Sequence, residues 1–108
     1  MDRRIAAVLA LIERDPRLGS AALAKSVRLS PSRLRCLFHR ELSVSLREYV
    51  KQRRLLRAAH LLSTTFLSVK EVAGLSGFGD VSHFIRDFRK GFDVSPRALR
   101  RAVTLANK

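Results

Sequence analysis

One cysteine, Cys36, no tryptophan and three prolines stand in a chain of 108 residues. A lone thiol builds no internal disulfide framework and supplies no cysteine-based zinc site. His39, His60 and His83 are too far apart for metal-ligand spacing, and no nucleophile–base–orienting set can be assembled around them. No catalytic residue, no metal and no cofactor is therefore assigned. The aromatic share is low at 6%, but the hydrophobic share of 46% is that of a folded chain. A chain of this length makes one domain or two very small ones, with little room for a deep enzyme cleft. No apolar run approaches the ~18–20 residues needed to cross a bilayer. Negative charge is scarce as well: 9 Asp and Glu face 22 Lys and Arg, a net charge of +13. A small compact domain repels itself at that charge, and a polyanionic partner is the usual reason for it.

Arg3-Arg4 ahead of the apolar run Ile5 to Ile12 looks like the start of a signal peptide. Glu13, Arg14, Asp15 and Pro16 end that run too soon, and no clean small-residue cleavage site follows. A buried first helix, capped by Asp2 and stopped at Asp15-Pro16, accounts for the segment better. The chain is then expected in the cytoplasm, which suits a single reduced thiol.

Nothing reads as a strand. Apolar residues recur at three and four positions, and glycine and proline fall between the periodic runs. The pattern predicts an all-α fold of seven helices, at about 2–15, 20–27, 31–42, 45–64, 69–76, 80–91 and 96–106. Ser45-Leu-Arg-Glu48 and Ser68-Val-Lys-Glu71 have the form of capping boxes. Ser30-Pro31 and Ser95-Pro96 each set a capping hydroxyl before a proline at the first helical position.

The chain also repeats itself. Leu23-Ala24 corresponds to Val72-Ala73, Ser32 to Ser82, Leu34 to Phe84, Phe38 to Phe88, Leu42 to Phe92 and Val44-Ser45 to Val94-Ser95. The offset is 49 before the turn and 50 after it, so the second copy carries one extra turn residue. Each copy is a short helix, a tight turn and a longer helix, which is the helix-turn-helix plan. Two copies are too few for a solenoid, and a scaffold repeat leaves the charge unexplained.

Between the copies, Ser45 to about Thr64 contains no glycine or proline. Leu46, Tyr49, Val50, Leu55, Ala58, Ala59 and Leu62 mark one apolar side, while Arg47, Lys51, Arg53, Arg54 and Arg57 crowd the rest. Roughly 20 residues at 1.5 Å rise make a rod of about 30 Å, close to the 34–36 Å of one turn of B-DNA. A continuous helix here would hold two recognition helices about one groove repeat apart. The expected division is 1–44 for the first helix-turn-helix subdomain, 45–64 for the linker helix and 65–108 for the second subdomain.

The stretch Val72-Ala73-Gly74-Leu75-Ser76-Gly77-Phe78-Gly79-Asp80-Val81-Ser82-His83-Phe84-Ile85-Arg86-Asp87-Phe88-Arg89-Lys90, followed by Val94-Ser95-Pro96, resembles the signature of the AraC/XylS family of transcription regulators. The first half resembles it too, in Leu23-Ala24, Leu29-Ser30-Pro31-Ser32-Arg33-Leu34, Phe38, Tyr49, Arg54, Ala58 and Leu61-Leu62. The resemblance covers nearly the whole chain. It implies a monomeric seven-helix unit whose two recognition helices enter successive major grooves of double-stranded DNA, with RNA polymerase as a candidate second partner and no membrane. Ser43 and Asp93 stand where the family often has glycine, so those corners bend without it.

First-turn residues of a recognition helix usually meet base edges. In the helix 31–42, Leu34, Leu37, Phe38 and Leu42 form the core stripe, which leaves Ser32, Arg35 and Cys36 as base readers. The alternative is that these are ordinary solvated positions, and for Cys36 a redox role is the weaker of two functional readings. In the helix 80–91, the family pattern turns Val81, Ser82, Ile85 and Arg86 to the groove, where apolar groups pack on thymine methyls and Arg86 forks onto guanine. The competing readings are a wider core for Val81 and Ile85 and a surface ion pair between Arg86 and Asp87. Arg33, Arg40, Arg53, Arg89 and Lys90 are expected on phosphates, which set affinity and register. The helix N-termini near Ser20 and Ser68 could add N–H contacts to phosphate.

Other functions fit less well. Unpaired RNA needs an aromatic stacking platform that is absent here, and a basic membrane helix needs no duplicated, capped hairpins. Non-specific binding of RNA or DNA by a helical protein is the alternative to sequence-specific control of transcription.

Overall fold

A computed structural model describes residues 1–106. Among them are seven α-helices and no strand: α1 (Arg3–Arg14), α2 (Ser20–Ser26), α3 (Pro31–Leu42), α4 (Leu46–Thr64), α5 (Val69–Leu75), α6 (Val81–Phe92) and α7 (Pro96–Ala106). Every helix end lies within one residue of its expected place, inside the ordinary spread of helix boundaries.

The caps explain that agreement. The Asp2 carboxylate accepts from Arg4 N–H at 2.8 Å and opens α1. The Asp15 N–H donates to Leu11 O at 2.9 Å and closes it. Ser30 Oγ accepts from Arg33 N–H at 3.1 Å, and Ser95 Oγ from Ala98 N–H at 3.0 Å. Ser68 and Glu71 form the full reciprocal box at 3.0 and 3.1 Å. Ser45 Oγ accepts from Glu48 N–H at 3.1 Å. One cap was misplaced by sequence: Asp80 is not the first residue of α6 but its N-cap, accepting from Ser82 N–H at 2.7 Å and His83 N–H at 3.4 Å.

The chain forms two units, divided between Arg53 and Arg54. The first closes around Ile5, Val8, Ile12, Leu23, Ala24, Leu34, Phe38, Leu46 and Val50, with Tyr49 set edge-on to Phe38 at 5.5 Å between ring centres. The second closes around Leu55, Ala58, Leu62, Val72, Ala73, Phe84 and Phe88. Its rings run in sequence, Phe78 to Phe84 to Phe88 to Phe92, at 5.0, 5.6 and 4.6 Å. Each fully buried large side chain contributes about 1.5–3 kcal/mol.

The two cores show that the repeat is longer than the sequence pattern suggests. Ile5, Val8 and Ile12 of α1 correspond at an offset of 50 to Leu55, Ala58 and Leu62 of α4, and all six are buried. The second half of α4 is thus the counterpart of α1, while Leu46 and Val50 in its first half belong to the first core. The end of α4 is fixed by Arg100 of α7. Its guanidinium donates to Leu62 O and Thr65 O, each at 3.2 Å, and to Leu67 O.

The turns repeat as well. Arg28, at φ 60°, matches Gly77, at φ 101°. Leu29 N–H closes onto Ala24 O at 3.0 Å, and Phe78 N–H onto Ala73 O at 2.9 Å. Since Ser30 and Asp80 are both caps, the extra residue of the second copy is Gly79. The glycine-less corners after α3 and α6 are left-handed, with Ser43 at φ 58° and Asp93 at φ 62°. Each donates its N–H at 2.8 Å, to His39 O and Arg89 O respectively.

Candidate nucleic-acid interface

α3 and α6 begin alike, behind a side-chain cap that fixes the first turn. α3 buries Leu34 and Phe38 and exposes Ser32, Arg33, Arg35, Cys36, His39 and Arg40. α6 buries Phe84 and Phe88 and exposes Val81, Ser82, His83, Ile85, Arg86, Arg89 and Lys90. Position by position, the order of buried, half-buried and exposed residues over 31–42 is repeated over 81–92. All seven expected base readers, Ser32, Arg35, Cys36, Val81, Ser82, Ile85 and Arg86, lie on these outward faces.

Val81 and Ile85 are 37% and 38% exposed, so they do not widen the core. Val81 and Ile85, one turn apart and beside Ser82 and Arg86, form an exposed apolar surface that can meet thymine methyls. Arg86 and Asp87 form no ion pair among the described residues. The charge of Arg86 acts instead on Asp80, whose carboxyl is held below its usual value mainly by the N–H groups of Ser82 and His83, with His83 and Arg86 adding to them.

The expected phosphate residues divide. The side chains of Arg33, Arg40, Arg89 and Lys90 are exposed and make no ion pair among the described residues. Arg53 is half-buried, and its Nη2 donates to both carboxylate oxygens of Glu13, an acid 40 positions away in sequence. Its charge is already engaged within the first unit. At the start of α5 the Glu71 carboxylate accepts from Ser68 N–H, which places a negative charge where a phosphate was expected. That helix end is unsuited to an anion. The flank of α3 adds a feature that sequence reading missed, a cavity of about 350 Å³ lined by Arg4, Leu29, Arg33, Cys36, Leu37 and Arg40.

His39 lies on α3, His60 on α4 and His83 on α6. No helix among the described residues is long and apolar enough to cross a membrane.

A family described as "Helix-turn-helix domain" matches residues 23–102. The arabinose operon regulatory protein of Escherichia coli (strain K12) is 37% identical over 86 residues, covering 80% of this chain and 30% of that protein. The chain spans about 30% of the length of the first curated relatives it matches. Among solved structures, the C-terminal domain of the two-component response regulator yesN from Fusobacterium nucleatum is similar at a TM-score of 0.81 and 28% identity, over 92% of this chain and 99% of that one. The DNA-binding domain of AdpA, a global transcriptional factor solved with a target DNA, is similar at a TM-score of 0.82 and 27% identity, over 94% of this chain and 93% of that one.

Proposed function

Because the chain belongs to the AraC/XylS family of helix-turn-helix regulators, we propose that it is a sequence-specific double-stranded DNA-binding unit that activates or represses transcription, inserting α3 and α6 into successive major grooves. The observation that carries the reading is the repeated exposure pattern over 31–42 and 81–92. Two helices bury the same positions and present the same outward face, each edged by unpaired cations. A duplex offers such a pair of faces the same groove twice, one helical turn apart. The solved DNA complex of a similar domain supports the same reading.

The roles follow from position. Ser32, Arg35 and Cys36 read bases from α3, and Val81, Ser82, Ile85 and Arg86 read them from α6. Arg33, Arg40, Arg89 and Lys90 hold phosphates; Arg53 does so only on leaving Glu13. Residues 45–64 link the reading units at 1–44 and 65–108, with Leu46 and Val50 packed in the first core and Leu55, Ala58 and Leu62 in the second. The unit acts as a monomer on DNA in the cytoplasm, without catalysis of its own, and RNA polymerase is the partner through which it acts on transcription.

Selection from a random duplex library tests this. One chain is expected to recover an asymmetric site of about 16–22 base pairs, the span of two adjacent major-groove segments. A palindromic site that needs two chains contradicts that linkage.

A further inference from the structure

The cavity on the flank of α3 is walled by three arginines, Arg4, Arg33 and Arg40, and by no acid. Arg33 and Arg40 are seven residues apart, so at 3.6 residues per turn they project within about 20° of each other. Neither guanidinium makes an ion pair among the described residues. Arg4 reaches the same cavity from the first turn of α1. Its Nε and Nη2 donate to Asp2 at 3.2 and 3.1 Å. A guanidinium carries five N–H donors, so those on Nη1 stay available. Leu29 and Leu37 supply the apolar part of the wall, and the three arginines remain exposed to solvent.

Arg33 and Arg40 are two uncompensated like charges on one hollow, and Asp2 offsets only part of the charge that Arg4 brings to it, so an anion seated among them is favoured. A tetrahedral phosphate offers several acceptor oxygens, and arginine forks match that geometry. The orientation on α3 says which phosphate. Arg33 and Arg40 lie about 80–100° round α3 from Ser32 and about 40–60° from Cys36, which itself lines the cavity, so the hollow borders the proposed reading face. A sugar-phosphate strand bounds the groove on that side. In α6 the place of Leu37 is taken by the Asp87 carboxylate, so the hollow belongs to the first unit.

We propose that this cavity seats one backbone phosphate of the bound duplex, and that Arg4 is a phosphate-binding residue that fixes the register of α3 in the groove. The inference rests on the DNA-binding reading above and deepens it. It makes α1 part of the interface.

The test uses the full chain, a duplex recovered by selection and a scrambled duplex of equal length. Arg4→Ala is expected to weaken both by about five- to tenfold at 0.1 M salt and to lower the salt slope by about one contact. Phosphate ethylation interference is expected to lose the same single position in Arg4→Ala and Arg33→Ala. Arg4→Lys, which keeps the charge, is expected to recover most of the slope. Thermal melts of each variant check that the fold is retained. An unchanged slope with an unchanged ethylation pattern overturns the proposal. So does a second result: inorganic phosphate stabilises the wild type and not Arg4→Ala, while the variant's duplex affinity is unaltered, which assigns the cavity to a free anion. If the wild type binds no duplex at all, it is the DNA-binding reading that fails.

Discussion

Arg28 and Gly77 hold the same left-handed backbone at the same point of the two helical hairpins, at φ 60° and 101°. Glycine enters that region freely, whereas an L side chain is strained there by about 1–2 kcal/mol. Arg28→Gly should therefore stabilise the first unit by about 0.5–1 kcal/mol, since part of the relief is offset by the freer unfolded chain. Gly77→Ala should destabilise the second unit by a similar amount or more. Thermal melts check both, and an Arg28→Gly protein that melts below the wild type contradicts the shared turn.

Asp80 gives the fold an acid limit. Its folded carboxyl titrates below the ordinary value of 3.8, chiefly because it accepts from Ser82 N–H and then from His83 N–H. A depressed folded value means that the unfolded chain takes up the proton first, so the cap stabilises α6 above about pH 4 and loses that contribution as pH falls through the folded value. Asn also caps helices but does not titrate. Asp80→Asn should show a shallower loss of stability below pH 4 than the wild type, in denaturant titrations at stepped pH. Equal slopes for the two proteins contradict the assignment.

Arg100 is the fixed point at the end of α4. Removing its guanidinium leaves the carbonyls of Leu62, Thr65 and Leu67 without that donor. Arg100→Ala should cost about 1–3 kcal/mol, read as a lower melting midpoint. Arg100→Lys should recover only part of it, since one ammonium cannot reach three carbonyls in a fork.

Most of the fold was legible because its signals are local. Capping residues stand next to the turns they close, and Phe84, Phe88 and Phe92 announce their face by spacing alone. What escaped was nonlocal or disguised. Arg28 has no residue signature for a left-handed turn. The match of Ile5, Val8 and Ile12 with Leu55, Ala58 and Leu62 preserves burial but no identity. Glu13 and Arg53 meet across 40 positions, and only packing shows that this arginine is engaged. In the site, the outward faces of α3 and α6 were readable from helical period, whereas the arginine-walled hollow needed α1 placed beside α3.

The linker helix can be tested by breaking it. Ala58 is buried in the second core, and proline in a helix interior costs about 3 kcal/mol or more. Gln52 is exposed in the same helix, so Gln52→Pro cuts the helix without entering a core. Both variants should lose high-affinity binding to the selected duplex and shorten the footprint. An unchanged footprint in Gln52→Pro would show that fixed spacing is not used.

Base reading and phosphate holding separate in how their loss depends on sequence and salt. Arg86 sits on the outward face of α6, whereas Arg40 and Lys90 lie at matching points near the C-terminal ends of α3 and α6. Binding of Arg86→Ala, Arg40→Ala and Lys90→Ala is titrated on selected and scrambled duplexes at several salt concentrations. Arg86→Ala should lose about 1–3 kcal/mol on the selected duplex, relax preference at one base pair and change scrambled binding much less. Arg40→Ala and Lys90→Ala should weaken both duplexes alike and lower the salt slope by about one. Equal losses on both duplexes for Arg86→Ala would make Arg86 a phosphate clamp and contradict base reading by α6 through this arginine.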